Sequence, residues 1–235
     1  MVAAATGFGL LAITFVGEPG VSLAAAQSAV IGLDVSGFNS SIDWKTVVSG
    51  GAQFAYVKAT EGTGFVNPDF AAQYDGSYQA GLIRGAYHFA LPNVAGGAAQ
   101  ASYFVANGGG WSADGRTLPG ALDIEYNPYG AECYGLSHSA MVSWITSFVD
   151  AYQALTTRWP IIYTTGAWWT TCTGGYGGFA GQDPLWIAGS TSPGALPGDW
   201  GFYTFWQYAS DGTFPGDQDT FNGAPAQLLR IATGR

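Results

Sequence analysis

Between residues 30 and 165 the chain keeps one rhythm: a short apolar run, a turn, then a helical stretch. Strand-like runs are read at Val30–Ser36, Gln53–Ala59, Leu82–Phe89, Leu118–Glu125 and Pro160–Thr164. The first of the helical stretches is Asp43–Ser49, which Gly50-Gly51 ends. The second opens at Asn67-Pro68, a cap followed by a first-turn proline, and stops at Gly81. A third covers Gly97–Asn107. Ser137 caps the longest, whose Met141, Trp144, Ile145, Phe148 and Tyr152 recur at helical spacing and are assigned to the core. Beyond residue 165 the rhythm changes. Pro184–Ala188, Tyr203–Tyr208 and Gln218–Phe221 are short strand-like runs between Gly/Pro/Ser loops, with no long helix expected between them. Five βα units followed by three strands predict an α/β fold, a single-domain modified TIM-like (β/α)5(β)3 barrel with an irregular last third. A length of 235 residues suits one such barrel, and no linker or repeat divides the chain.

The first 26 residues stand apart. Gly7 to Val16 is almost wholly apolar and Ala24-Ala25-Ala26 offers a small-residue cleavage site. This pattern predicts a secretory signal over 1–26, a catalytic domain over 27–235 and an extracellular protein. The apolar run is too short and too interrupted by glycine to span a bilayer. Cys133 and Cys172 are the two cysteines, an even count that fits one disulfide in an oxidising compartment. Formal net charge is −9, with seven Lys and Arg and no basic stripe, which speaks against nucleic acid and anionic membranes as partners. Nine Trp and thirteen Tyr exceed what a core of this size requires, and sugar clefts use such rings as platforms. No His cluster suggests a metal, and neither a phosphate loop nor a dinucleotide fingerprint suggests a cofactor. A monomer is expected.

Chemistry is concentrated in Leu122-Asp123-Ile124-Glu125. Side chains alternate along a strand, so Asp123 and Glu125 share a face, and two carboxylates aimed into one space keep one of them protonated near neutral pH. Such a pair can cleave a glycosidic bond. In an α/β barrel the site lies at the carboxyl ends of the strands. Those ends carry Asp34, Lys58 with Glu61, Tyr87-His88, Asp123 with Glu125, Tyr163, Trp186, Gln207 and Asp219. Lys58 with Glu61 is read as a structural ion pair and His88 as a hydrogen-bonded core histidine.

The ordered set Gly32-Leu33-Asp34-Val35-Ser36, Phe54-Ala55-Tyr56-Val57-Lys58-Ala59-Thr60-Glu61-Gly62, Arg84-Gly85-Ala86-Tyr87-His88-Phe89, Leu122-Asp123-Ile124-Glu125, Ile162-Tyr163-Thr164 and Phe205-Trp206-Gln207-Tyr208 resembles glycoside hydrolase family 25, the Chalaropsis-type lysozymes. The resemblance spans about residues 30–223. It implies a secreted N-acetylmuramidase that cuts the β-1,4 bond between N-acetylmuramic acid and N-acetylglucosamine in bacterial peptidoglycan. It implies Glu125 as general acid/base, Asp123 as its assisting carboxylate, and Asp34 and Asp219 as further acids of the site. The late motif is shortened here, so Asp217 is an alternative to Asp219. Tyr56, Tyr87, Tyr163, Trp186 and Gln207 are candidates for sugar contacts, and the resemblance supports a Cys133–Cys172 bridge. Two other readings stay open: a wall-binding protein that lost turnover on the same barrel, and a chitinase-like hydrolase. Asn39-Ser40-Ser41 is a glycosylation sequon beside the expected cleft.

Overall fold

A computed structural model describes Met1 and residues 29–234; the rest of the expected signal segment lies outside the described residues. The chain runs β1 (Val30–Val35), α1 (Trp44–Ser49), β2 (Phe54–Glu61), a two-residue β3 (Phe65–Val66), α2 (Phe70–Gln79), β4 (Ile83–Phe89), α3 (Gly97–Phe104) and β5 (Ala121–Asp123). It continues through α4 (His138–Thr156), β6 (Ile161–Thr165), α5 (Gly166–Thr173), β7 (Leu185–Ala188), β8 (Phe205–Ala209), β9 (Asp217–Phe221) and α6 (Pro225–Thr233). Setting aside β3, which only folds back on β2, eight strands close into a barrel in the order β1-β9-β8-β7-β6-β5-β4-β2, with β2 pairing back to β1. This is the expected (β/α)5(β)3 arrangement in a single domain. Every barrel pairing is parallel except those of β9, which runs antiparallel to both β1 and β8.

The local signals explain much of this. Asp43 caps α1 by accepting from the Lys45 and Thr46 amides. Ser137 caps α4 through the Ala140 amide, and Met141, Trp144, Ile145, Phe148 and Tyr152 are all buried on that helix. Two apolar layers result. Inside the barrel, Phe54, Tyr56, Trp186, Phe205 and Phe221 stack against one another. Between strands and helices, Phe104, Phe148, Trp168 and Trp169 form the larger layer. Gly85 is where the inner layer crowds the backbone: a Cβ there would lie 2.2 Å from the Tyr56 ring.

Several elements differ from expectation. Asn67 does not cap α2. Its Oδ1 accepts from the Asp69 amide and its Nδ2 donates to the Lys58 carbonyl, so the helix starts at Phe70. The expected helix Gly97–Asn107 is α-helical only to Phe104, because a π turn over Val105–Gly109 follows, with Asn107 and Gly108 outside helical geometry. The strand expected over Leu118–Glu125 pairs regularly only over Ala121–Asp123, which leaves Glu125 beyond its end. Helix α6, after β9, had no counterpart in the sequence reading, whereas α5 completes the fifth βα unit. Helix α5 packs Trp168 and Trp169 inward, and its small apolar bias gave little periodic signal. Cys133, in the β5–α4 loop, is bonded to Cys172 on α5. Among the described residues no helix is long and apolar enough to cross a membrane.

Candidate active site

A cleft of about 420 Å³ opens at the carboxyl ends of the parallel strands. Strand β1 brings Asp34 to it, β2 brings Lys58, β4 brings Tyr87 and Phe89, and β6 brings Tyr163. Asp123 lies at the last residue of β5 and Glu125 two residues beyond, both lining the cleft. The intervening Ile124 is fully buried in the layer between strands and helices, as alternation demands. The backbone stays extended there because the Ile124 amide donates to the Tyr163 carbonyl (3.0 Å).

The opposite wall comes from β8 and β9. Because β9 is reversed, its first residue is the one at the cleft. Asp217 pairs directly across from Asp34, whereas Asp219 pairs with Gly32, one layer deeper. Gly216 makes the close approach possible: its φ is +75°, and a Cβ there would meet the Asp34 carbonyl at 2.2 Å. Gln207 ties the acids together. Its Nε2 donates to Asp34 (2.8 Å) and to Asp217 (3.0 Å), and its Oε1 accepts from the Tyr163 hydroxyl (2.8 Å). Tyr163 thereby fixes which end of the amide faces the carboxylates.

Electrostatics follow from burial and crowding. Burial, then the charge of Asp217, pushes Glu125 up to about 7. Burial and the same Asp217 charge raise Asp34 to about 7. Asp123 is raised well above the ordinary carboxylate range, first by burial and then by Glu125. Asp217 is also raised by burial. Lys58 is the cation on the cleft wall and lowers both Glu125 and Asp123. After burial, then, the acid facing Glu125 across the cleft is the main influence on its proton, and Asp123 is itself raised by Glu125.

Of the residues singled out from sequence, Asp34, Asp123, Glu125, Tyr87, Tyr163, Trp186 and Gln207 line this cleft. Tyr56 does not. It is fully buried inside the barrel, its hydroxyl donates to the Pro119 carbonyl (3.0 Å), and its ring packs on Trp186 and Phe205, which makes it a core residue. Asp219 lies beneath the cleft and is also fully buried. His88 is a core histidine, its ring nitrogens bonded to Thr60 (2.8 Å) and Gln100 (2.9 Å), and burial lowers it to about 4. Lys58 and Glu61 form the expected ion pair (2.5 Å), and Tyr129 donates to the same Glu61 (2.6 Å). Asn39, read from the sequence only as a sequon beside the cleft, lines it, and so does Phe38, which the sequence reading passed over. Phe38 is 98% exposed at the cleft mouth, and an aromatic two residues past a strand end was the available signal. Among the described residues no group of three His, Cys, Asp or Glu is arranged to hold a metal ion.

A barrel with a carboxylate-lined cleft at its strand ends defines a class, the glycoside hydrolases. The comparisons make that specific. The family model described as Glycosyl hydrolases family 25 matches residues 33–217, so the chain belongs to that family and is a hydrolase of the lysozyme type. It is 52% identical to Lysozyme M1 of Streptomyces globisporus over 88% of this chain and 73% of that protein. It is 46% identical to an N,O-diacetylmuramidase of Arthroderma benhamiae, over 93% of each. A family GH25 lysozyme from Aspergillus fumigatus superposes with a TM-score of 0.87 at 50% identity, covering 88% of this chain and 100% of that one.

Proposed function

We propose that this chain is a secreted N-acetylmuramidase acting on bacterial peptidoglycan. It hydrolyses the β-1,4 bond between N-acetylmuramic acid and N-acetylglucosamine. The observation that carries this is the placement of Glu125, a carboxyl on the cleft wall two residues past Asp123 and across from Asp217, where burial and the Asp217 charge push it up to about 7. A general acid works best with a pKa near the working pH. Glu125 protonates the glycosidic oxygen as the bond to the anomeric carbon breaks, and the electron pair of that bond leaves on the departing sugar. The positive charge that develops on the anomeric carbon is stabilised by the carboxylates around it, with Asp34 and Asp217 held toward one point by Gln207. Asp123 stands beside Glu125 to orient the 2-acetamido group. Glu125 then returns as base to activate water. Phe38, Tyr87 and Tyr163 are the aromatic residues on the cleft wall placed to contact the sugar units. Names among the relatives, lysozyme and N,O-diacetylmuramidase, support the substrate class.

The test is mass spectrometry of purified peptidoglycan after digestion. Fragments ending in reducing muramic acid are expected. Reducing-end glucosamine, or turnover of chitin in preference to peptidoglycan, overturns the bond assignment. No release of reducing ends at any pH makes the chain a wall-binding protein instead.

A further inference from the structure

We propose that Asp219 is a positioning residue that retains its carboxyl proton and donates it as a hydrogen bond to Asp34, fixing the orientation of Asp34. This rests on the muramidase reading of the cleft above it.

Asp219 has no solvent exposure. One of its oxygens, Oδ1, accepts from the Trp186 indole N–H (2.9 Å). Its other oxygen, Oδ2, receives no N–H or hydroxyl donor. A buried carboxylate with a single hydrogen bond and no cation is costly, because the low-dielectric interior does not replace the water it has lost. The groups facing Asp219 make this worse. They are the carboxyls of Asp34 and Asp217, the indole of Trp186, and the neutral phenols of Tyr56 and Tyr163. Among the described residues, these leading influences on Asp219 include no lysine or arginine.

Protonation resolves both problems at once. It removes the buried charge and turns an acceptor-only group into one with an O–H donor. Asp34 and Asp219 are diagonal neighbours on the same face of adjacent strands, which sets the Asp34 carboxyl beside that donor. Asp34 then receives two donors, the Gln207 amide and the Asp219 hydroxyl, and both act to lower its pKa against burial and Asp217. Burial and the neighbouring Asp34 charge act together to keep the proton on Asp219. The pairing has a geometric origin. In the β1–β9 register, Asp219 sits beside Gly32, a residue with no side chain of its own, directly below the Asp34–Asp217 pair.

A neutral aspartic acid that accepts at one atom and donates at the other has a close mimic in asparagine. Asp219→Asn should therefore keep kcat/KM within about threefold, since its amide can accept from Trp186 and donate to Asp34. Asp219→Leu removes the donor to a charged group and should lose about ten- to a hundredfold. It should also move the acid limb of the kcat/KM profile to higher pH, because Asp34 then holds its proton longer. Infrared difference spectra at pH 9, wild type minus Asp219→Asn, give a readout independent of turnover. A carboxylic-acid C=O stretch in the wild type that is missing from the variant is expected. Absence of that band, or equal impairment of the Asn and Leu variants, overturns the proposal. If the band is present but peptidoglycan is not cut, the proton assignment stands and the muramidase reading falls.

Discussion

The barrel carries two acid-x-acid pairs, Asp123-x-Glu125 on one wall and Asp217-x-Asp219 on the other. They run in opposite directions. On β5, a parallel strand, the chain climbs toward the cleft, so the second acid reaches the rim and the first stays buried. On the reversed strand β9 the chain descends, so the first acid reaches the rim and the second is buried. Each pair thus sets one carboxyl at the rim and one deeper, with the order along the sequence inverted: Asp123 still lines the cleft, whereas Asp219 lies beneath it. Both buried members also have one oxygen without a donor, Oδ1 of Asp123 and Oδ2 of Asp219. Strand direction, as much as residue identity, decides which acid reaches the rim of the cleft.

The sharpest way to break this parallel is to neutralise the two rim acids separately. Glu125→Gln should reduce peptidoglycan cleavage by about 10²- to 10⁴-fold, the usual contribution of a general acid. Asp217→Asn removes fixed charge without removing the proton donor and should cost about 10²-fold. It should also bring the basic limb of the pH profile below that of the wild type, because the Asp217 charge helps keep Glu125 protonated. Reducing-end assays across pH, with circular dichroism as a folding control, check both. Equal losses with unchanged profiles would show that the two walls do not divide the work in this way.

The disulfide separates the pairs mechanically. Cys133–Cys172 closes a loop across 39 residues and anchors the segment that follows Glu125, with no counterpart on β9. The double Cys133→Ser, Cys172→Ser variant should lose about 4 kcal/mol of stability. Hydrogen exchange should loosen residues 126–136 while β9 stays protected. Equal loosening of both regions would remove the distinction.

The smallest expected effect is on stability against pH. Asp34 and Glu125 titrate near 7 in the fold and Asp183, raised by burial, near 8. In the unfolded chain such groups titrate near 4. The native state therefore binds these protons more tightly. Their stabilising contribution is fully present below about pH 4 and is lost as pH rises through about 7 to 8. His88 acts in the opposite sense: its neutral form is favoured in the fold, so its contribution is present above about 6.5 and lost as pH falls through about 4. The acids outnumber it, so Tm should fall between pH 5 and pH 8. Asp183→Asn, remote from both pairs, should flatten the upper part of that fall. A Tm that rises over this range would show that these acids are ionised in the fold.

Strand order, the single domain and the first wall of the site were legible because parallel strands obey one rule: their carboxyl ends face the cleft. Asp34, Asp123, Tyr87 and Tyr163 all follow it. Asp217 broke it, since nothing local in Gly216-Asp217-Gln218-Asp219 announces that the strand is reversed; only pairing with both β1 and β8 decides that. Tyr56 was misplaced for a related reason. Alternation puts it on the inner face of β2, but the height along the barrel that separates core from cleft is set by register with neighbouring strands. The fifth βα unit implied α5, but its bounds were not legible because Trp and Thr dominate it and packing rather than propensity holds it.

The reversed closing strand also ties assembly of the cleft to completion of folding. Gln207 reaches back 173 residues to Asp34, and Asp217 meets Asp34 only once β9 has inserted between β1 and β8. These are among the longest-range contacts in the chain, the kind whose loop-closure entropy is recovered late. A nascent chain that has already formed the Asp123–Glu125 wall is therefore an incomplete vessel with an incomplete charge set. Sealing the barrel and assembling the charge set of the cleft are one event.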